Sequence, residues 1–325
     1  MQDKEPIILE NEFYSKPFNF SYSSLNLLLY SPSAFYKKYI LQQKEESLDS
    51  HLIEGKVIHA LLLEESKFND NFVISPIDLP GDNVRKLVHA IFNKVIPDVA
   101  SKFAHFGEHI LEELRTINLH QSLKTDEQRI AKVVTDETES YWNFLVNKGN
   151  KTVIDQETYS KCFEAVSLIK NNKSVMDLLN GPGKVQNELF VKATIPDKPF
   201  GLHGQIDNIV INEEAKTVII NDLKTSSKTL AEFKDSVEFY KYWLQAGIYT
   251  KMARIIYNLD TTWKVKFNFI VIDKYQQVFP FAVSDVTLTH WVEETEHIIE
   301  KANFHYSNKR YDLPYEFIVG NGVIL

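Results

Sequence analysis

Two short segments decide the fold of this chain: GQID at residues 204–207 and IINDLK at residues 219–224. Each segment reads as part of a β-strand, and the apolar, β-branched residues before Asp222 predict that its strand is largely buried. Because side chains alternate along a strand, Asp222 and Lys224 are expected to share one face. Buried carboxylate and ammonium groups are costly unless they are paired or bind a metal. The two segments therefore predict a functional site built on neighbouring strands.

The sequence around these segments predicts an α/β core with a mixed sheet. A sharp break at Asn180-Gly181-Pro182-Gly183 separates a predominantly helical region, 83–180, from alternating patterns typical of strands. The predicted strands are Gln186–Thr194, Phe200–Ile211, Thr217–Lys224, Trp263–Ile272 and Val278–Val283. The predicted helices include 126–147, 232–257 and 286–303, and the polar stretch at 42–50 is expected to form a loop.

The composition is that of an ordinary globular protein: 44% of the 325 residues are hydrophobic and 25% are charged. The net charge of −8 argues against a protein that coats nucleic acid through bulk positive charge, but it leaves room for a local basic channel. Cys162 is the one cysteine, which excludes an internal disulfide and a four-cysteine iron–sulfur or zinc site. Residues 1–5 lack the layout of a signal peptide and no apolar run is long enough to span a bilayer, so we expect a cytoplasmic protein, or a nuclear one if the source is eukaryotic.

Asp207 and Asp222 could together hold a hard divalent cation. Mg²⁺ prefers carboxylate oxygens and keeps several waters, and such an ion polarises a phosphoryl oxygen and lowers the pKa of a bound water. Lys224 could orient that water or stabilise the negative charge that develops on the phosphate. Oxygen-rich sites accept Mn²⁺ as well as Mg²⁺. The pattern favours a metal-dependent phosphodiesterase, and a hydrolase of another phosphate ester is left open.

Several motifs, in this order along the chain, resemble the signature of the PD-(D/E)XK nuclease superfamily: Gly55-x-x-x-His59, Gly204-x-x-Asp207, Asp222-x-Lys224-Thr225 and Gln245-x-x-x-Tyr249. The closer resemblance is to the RecB-type branch, which includes phage and RecE-like exonucleases. It covers the first 65 residues and roughly 184–283. It implies a restriction-endonuclease-like fold, in which helices flank a mixed β-sheet core and a large helical insertion is present.

The resemblance also implies roles for the matching residues. The metal ligands would be His59, Asp207, Asp222 and the carbonyl group of Leu223. The catalytic residues would be Asp207, Asp222, Lys224, Gln245 and Tyr249. Glu188 matches an acid that is often present on the first strand. An ordinary core histidine is the alternative for His59, and a helix packing face is the alternative for Gln245 and Tyr249.

The implied function is that of a metal-dependent DNA nuclease, an exonuclease of phage or bacterial DNA recombination, repair or processing. It would use Mg²⁺ or Mn²⁺ and no iron–sulfur cluster. DNA is the expected partner. A single-strand annealing protein or another recombination protein is a compatible second partner, and a homo-oligomer is a compatible state. No association with a membrane is expected. The expected location is the bacterial or phage-infected host cytoplasm. The alternative is a catalytically inactive nuclease-fold module that binds DNA or a protein.

A single nuclease-like domain is expected over residues 1–325. Within it, the N-terminal helices of 1–75 would contribute His59 to the active site. Residues 83–180 would form the helical insertion, and residues 184–303 would form the catalytic α/β core.

Overall fold

The computed structural model describes residues 6–43, 50–95, 97–98 and 100–320. The N-terminal residues 1–5 and most of the predicted loop at 42–50 lie outside these ranges. Contacts between residues divide the chain into two compact units, 1–55 with 167–325 and 56–166. In sequence, the second unit is therefore inserted between two parts of the first.

Helices and strands alternate along the described chain. The helices are α1 (Pro6–Tyr14), α2 (Tyr22–Tyr30), α3 (Pro32–Phe35), α4 (Ser50–Leu63), α5 (Phe68–Asn71), α6 (Asp82–Lys94), α7 (Gly107–Thr116), α8 (Asp126–Val133), α9 (Asp136–Lys148), α10 (Gln156–Asn171), α11 (Lys173–Leu179), α12 (Phe233–Phe239), α13 (Tyr242–Ile256), α14 (Asp285–Asn308) and α15 (Tyr315–Val319). The strands are β1 (Asn19–Phe20), β2 (Phe72–Ile74), β3 (Thr152–Ile154), β4 (Lys184–Thr194), β5 (Gly201–Asn212), β6 (Thr217–Thr225), β7 (Lys264–Ile272) and β8 (Val278–Ala282). Among the described residues, no helix combines the length and the apolar character that crossing a bilayer requires.

The first unit is built on a mixed sheet around β5 and β6. β4 runs antiparallel to β5 along residues 201–211, and β6 pairs antiparallel with β5 over 208–212. β7 is parallel to β6 and antiparallel to β8, and the short β1 runs parallel to β5 at residues 201–202. Because β4 occupies one edge of β5, β1 and β6 share the other edge. Residues 203–207 of β5 lie between these two pairings.

Helices cover both faces of this sheet. Ile220 of β6 belongs to the main core cluster together with Leu244 and Ile248 of α13. The next residue, Asn221, donates a hydrogen bond of 3.1 Å to the carbonyl oxygen of Leu178 in α11. Adjacent residues of a strand point to opposite faces, so α13 and α11 lie on opposite sides of the sheet.

A ladder of asparagine side chains crosses four neighbouring strands on the α11 side: Asn187, Asn208, Asn221 and Asn268. Each amide nitrogen donates to the oxygen of the preceding amide in this series, at distances of 2.7, 2.7 and 2.8 Å. Asn208 and Asn221 also donate to the carbonyl oxygens of Leu179 and Leu178, which satisfies acceptors at the C-terminal end of α11. This asparagine ladder links β4, β5, β6 and β7 in one register.

The second unit has its own core. Trp142 of α9 is fully buried, as are Leu87 of α6 and Leu114 of α7. The indole N–H of Trp142 donates a hydrogen bond of 2.9 Å to the carbonyl oxygen of Ser101, so its buried polar group is satisfied. The strands β2 and β3 form a short parallel pair in this unit.

The predicted α/β class with a mixed sheet flanked by helices is confirmed. Two predicted helices are wrong as single elements. The helix predicted over 232–257 is divided into α12 and α13 at Tyr240–Lys241, where Lys241 has a left-handed φ of 54°. The helix predicted over 126–147 is divided into α8 and α9, because Thr135 caps α9 by accepting a hydrogen bond from the main-chain N–H of Thr138. The predicted insertion, 83–180, overlaps the second unit without sharing its boundaries.

Candidate active site

The centre of the candidate site is formed by Asp222 and Lys224 near the end of β6. Asp222 is fully buried, and its Oδ2 lies 2.7 Å from Nζ of Lys224. Gln245 of α13 joins them, because its Nε2 donates to Asp222 Oδ1 and its Oε1 accepts from Lys224 Nζ, both at 2.8 Å. The three side chains form a closed ring of interactions, and the face that Asp222 and Lys224 were predicted to share is observed.

Lys224 is held in its ammonium form. Burial alone would lower its pKa, but the carboxylates of Asp222 and Asp207 outweigh burial and raise the pKa of Lys224 above its ordinary value. The ring centroid of Tyr242 lies 4.6 Å from the ammonium nitrogen, a cation–π contact that also favours the charged form. The site therefore contains a fixed positive charge at neutral pH.

Asp207 lies where the pairing between β5 and β6 stops. The last pair is Asn208 with Asn221, so the next position of each strand holds Asp207 and Asp222. Asp207 Oδ2 accepts a hydrogen bond of 2.7 Å from the main-chain N–H of Leu223. This bond ties the carboxylate to β6 beside the charged pair.

Irregular backbone surrounds Asp207 on both strands. Ile206 and Ile209 of β5 lie in the same core cluster although they are three residues apart, so the alternation of β5 shifts by one position at this point. On β4, the register places Glu188 opposite Asp207, and Glu188 has a left-handed φ of 46°. Such a conformation at a non-glycine residue costs on the order of 1–3 kcal/mol and is concentrated at functional sites.

Glu188 adds a third carboxylate, beside that of Asp207. One of its oxygens lies within 4.8 Å of an oxygen of Asp207. Gln205 orients it, since Gln205 Nε2 donates a hydrogen bond of 2.6 Å to Glu188 Oε2.

The oxygen atoms of the site suit a hard divalent cation. Asp222 Oδ2 is buried, and among the described residues it accepts no hydrogen bond. Its ionic partner is the ammonium group of Lys224. Lone pairs of this oxygen therefore remain available to a cation. Carboxylate oxygens of this kind are the ligands that Mg²⁺ and Mn²⁺ prefer.

Gln245 is positioned by Tyr249, one helical turn further along α13. Gln245 Nε2 lies 3.2 Å from the hydroxyl oxygen of Tyr249, which accepts from it. Burial, and then the charges of Asp222 and Asp207, raise the pKa of Tyr249, so its hydroxyl stays neutral. The ring lies against Gly204, where an added Cβ would be 2.7 Å from Tyr249 Cε1. The close approach of this ring explains the glycine of the predicted motif.

Gly55 and His59 both lie on α4. An added Cβ at Gly55 would lie 3.2 Å from Oγ1 of Thr225, the residue after Lys224, so the glycine permits a close approach to the end of β6. His59 follows one turn later, is half-buried and belongs to the second unit. Its role as a metal ligand stays a prediction.

Two tyrosines beside Lys224 were not predicted as site residues. Tyr242 precedes Gln245 by three residues on the same helix, and this spacing was a usable signal. Tyr22 lies on α2, and burial raises its pKa to about 12, although the charge of Lys224 opposes the rise. No local pattern links Tyr22 to β6, because the two are remote in sequence.

Comparisons with known proteins give distant similarities. "RING finger protein PFE0100w" of Plasmodium falciparum (isolate 3D7) is 22% identical over 289 residues, a match that covers 85% of this chain and 22% of that protein. The crystal structure of a protein named "Putative exonuclease" from Eubacterium rectale is 12% identical, with a TM-score of 0.50 and coverage of 100% of this chain and 95% of that one. The structure of SSO0001 is 11% identical and covers 85% of this chain and 99% of that one, but its TM-score of 0.24 supports no argument about the fold.

A family model matches most of the chain. The model of the PD-(D/E)XK nuclease superfamily matches residues 19–302, which contain β1, β4–β8, α13 and all the predicted motifs. Assignment to the RecB-type branch, and the resemblance to RecE-like exonucleases, stay predictions. Since the match extends over far more than half of the chain, and the mixed sheet flanked by helices is the restriction-endonuclease-like core expected of it, this chain belongs to the PD-(D/E)XK nuclease superfamily.

Proposed function

We propose that this chain is a metal-dependent deoxyribonuclease, and more narrowly an exonuclease of bacterial or phage DNA recombination, repair or processing. The observation that carries the proposal is the closed ring of Asp222, Lys224 and Gln245. It places a fixed ammonium group beside carboxylates whose oxygens suit a divalent cation. Membership of a nuclease superfamily supports a nucleic acid as the substrate.

The proposed metal ligands are Asp207, Asp222, the carbonyl group of Leu223 and His59, with Glu188 as a further acid. Asp222 Oδ2 supports this set because it is buried with free lone pairs. For His59 the support is its place on α4, one helical turn after Gly55. When bound, Mg²⁺ or Mn²⁺ would polarise the scissile phosphate and lower the pKa of a water molecule.

Lys224 would stabilise the negative charge that develops on the phosphate. An ammonium group has three N–H donors. Gln245 accepts from one of them, and the carboxylate of Asp222 pairs with the charge at 2.7 Å, so at least one donor is left for the substrate. The carboxylates that raise the pKa of Lys224 keep it protonated across the neutral range. Because the donor is already fixed in place, little reorganisation accompanies the reaction.

Gln245 and Tyr249 would act as a positioning pair. Gln245 holds both members of the charged pair, and Tyr249 holds Gln245 against the strand that carries Gly204. The same helix face would lie next to the bound DNA strand.

The biological setting belongs to the proposal as well. A single-strand annealing or other recombination protein is a compatible partner, a homo-oligomer is a compatible state, and the cytoplasm of a bacterium or of a phage-infected host is the proposed location. The resemblance to phage exonucleases supports these points.

The test is digestion of end-labelled linear duplex DNA in the presence of Mg²⁺. The wild-type chain should release short products from the ends and leave covalently closed circular DNA intact. Asp222→Asn and Lys224→Met should each reduce the rate about 10²-fold or more, as expected for loss of a preorganised catalytic group. Chelation of the metal should abolish digestion by the wild type.

Lys198→Met is the matched control. Lys198 has the same exposed side-chain fraction as Lys224, 16%, and it also forms an ion pair, with Glu300. Its replacement should leave the rate unchanged. Equal digestion by all four proteins would refute the site, and DNA binding without cleavage would favour the inactive binding module. Cleavage of small phosphodiesters but not of DNA would favour a different phosphate-ester hydrolase.

A further inference from the structure

A line of aromatic rings begins at Lys224 and ends in solvent. The ring of Tyr242 lies under the ammonium group of Lys224. Tyr240 stacks on Tyr242 with ring centroids 5.4 Å apart and an interplanar angle of 25°. Phe239 meets the ring of Tyr240 edge-on at 4.9 Å. We call Phe239, Tyr240 and Tyr242 the aromatic track.

The outer part of the aromatic track is open to solvent. The side chain of Phe239 is 72% exposed and that of Tyr240 is 42% exposed, whereas Tyr242 is half-buried. The two exposed rings adjoin one another, so they present a continuous apolar surface beside the candidate active site. A surface of this kind commonly marks a binding site.

The main chain beneath the track is held in place. The carbonyl oxygen of Tyr240 accepts hydrogen bonds from the hydroxyl group of Tyr22 and from Nδ2 of Asn26, the latter at 3.4 Å. Lys241 takes up the left-handed conformation that ends α12 and allows α13 to begin. The rings therefore lie at the junction of α12 and α13, and hydrogen bonds from α2 hold the main chain of this junction in place.

Positive charge lies at both ends of the aromatic track. Lys224 occupies the inner end, and Nζ of Lys228 lies 5.7 Å from the ring centroid of Phe239 at the outer end. Aromatic rings stack on bases, and lysine ammonium groups attract the phosphates between them. This combination of rings and charges is complementary to a single strand of nucleic acid.

We propose that Phe239 and Tyr240 form a base-stacking subsite that binds unpaired nucleotides adjoining the scissile phosphate. The proposal rests on the proposed nuclease function and names its substrate class: single-stranded DNA, or duplex DNA with an unpaired end. A base inside a duplex has both faces covered by its neighbours, so it is not available to these rings. An unpaired base exposes a face, and stacking on an aromatic side chain then contributes to its binding.

The test measures binding without cleavage, by fluorescence anisotropy of labelled DNA in EDTA with the full chain. The probes are a short single strand, the same strand with abasic sites, and a blunt duplex. Phe239→Ala and Tyr240→Ala should each weaken binding of the single strand about tenfold, and binding of the blunt duplex should change less than about twofold. Phe239→Trp and Tyr240→Phe keep the rings and should bind as the wild type does.

Phe317→Ala is the control, because Phe317 on α15 is 58% exposed and lies outside the aromatic track. The abasic strand should bind the wild type as weakly as the intact strand binds the alanine variants. Unchanged single-strand affinity in both alanine variants, or an equal loss for the intact and abasic strands, would overturn the subsite. Cleavage is measured separately with Mg²⁺. If digestion fails while the stacking differences persist, the nuclease function falls and the subsite stands.

Discussion

Asp222 is fully buried, and the ammonium group of Lys224 balances its charge at 2.7 Å. Bringing two charges out of water costs free energy that their attraction and hydrogen bonds must offset. Gln245 contributes to this balance by bonding to both. The buried pair therefore contributes little net stability. Removing one charge should lower the free energy of unfolding much more than removing both.

We predict that Lys224→Met lowers the free energy of unfolding by about 3 kcal/mol or more, because Asp222 is then left charged and unpaired in the interior. Combining it with Asp222→Asn removes both charges and should restore most of that loss. The double variant should stay inactive, since neither charge is present. Urea denaturation at pH 7 measures the stabilities.

Lys198→Met again supplies the comparison, since its partner Glu300 is largely exposed and such pairs contribute less than about 1 kcal/mol. If Lys224→Met were no more harmful than Lys198→Met, the buried charge would be compensated by some other group. If the double variant were as unstable as the single, the loss would come from packing rather than charge.

At the scale of the elements, the asparagine ladder aligns the strands that carry the site. Asn187, Asn208 and Asn221 occupy one row of the register, and the next position on each strand is Glu188, Asp207 and Asp222. Slippage of one strand by a single residue would separate these acids and also break the amide bonds of the ladder. The ladder thus acts on the site through register, without contacting a substrate.

We predict that Asn221→Ala destabilises the fold by about 3 kcal/mol, because it leaves buried partners on Asn208, Asn268 and Leu178 without their hydrogen bonds. Urea denaturation measures this loss. Asn308→Ala removes one exposed amide bond at the end of α14 and should change stability by less than about 0.5 kcal/mol. Equal effects of the two substitutions would show that the ladder does not hold the strands.

The strands were predictable from sequence, and Thr135 followed by acidic residues was a usable signal for the start of α9, whereas the helix break at Lys241 was not predictable. Runs such as Thr217–Lys224 are rich in β-branched residues, and they are strands in the structure because such side chains favour a pleated sheet. The break at Lys241 contains no glycine or proline, so it lacked the usual signal. The left-handed conformation of Lys241 is instead set by tertiary contacts: the packing of α12 and α13 on the sheet and the hydrogen bond from Tyr22 to the carbonyl oxygen of Tyr240.

Part of the site was predictable for the same reason. The alternation of a strand placed Asp222 and Lys224 together, and helical spacing placed Gln245 beside Tyr249. The left-handed backbone of Glu188 had no counterpart in the sequence pattern, because tertiary contacts decide it. The hydrogen bond from Tyr22 to the carbonyl oxygen of Tyr240, between α12 and α13, joins segments that are remote in sequence. Local sequence patterns do not predict contacts of this kind.

At the scale of the whole molecule, His305 near the end of α14 makes stability depend on pH. His305 is buried, and its Nδ1 lies 2.5 Å from the carbonyl oxygen of Arg310. Burial lowers its pKa below the ordinary value of 6.5, although the bond to Arg310 and the charges of Glu316 and Asp312 oppose this, and the charge of Arg310 adds to it. The folded chain therefore binds the proton less readily than the unfolded chain does.

It follows that the free energy of unfolding should fall as the pH drops below about 6.5, by at most about 1.4 kcal/mol per pH unit from this residue. The loss should end below the pKa of the folded state, where both states are protonated. His305→Asn keeps a donor for the carbonyl of Arg310 but does not titrate, so it should flatten this part of the profile. Identical pH profiles for the two proteins would contradict the assignment.

The pairing of β1 with β5 affects how the protein is made. Asn19 pairs with Gly201, which the ribosome adds about 180 residues later. Translation proceeds at about 5–20 residues per second, so β1 is synthesised roughly 10–40 seconds before its partner strand. During that time Phe20, which is fully buried in the folded protein, has no strand to pair with. The inserted unit is synthesised during that interval, so the nascent chain carries an unpaired apolar segment that a chaperone could shield until translation reaches the sheet.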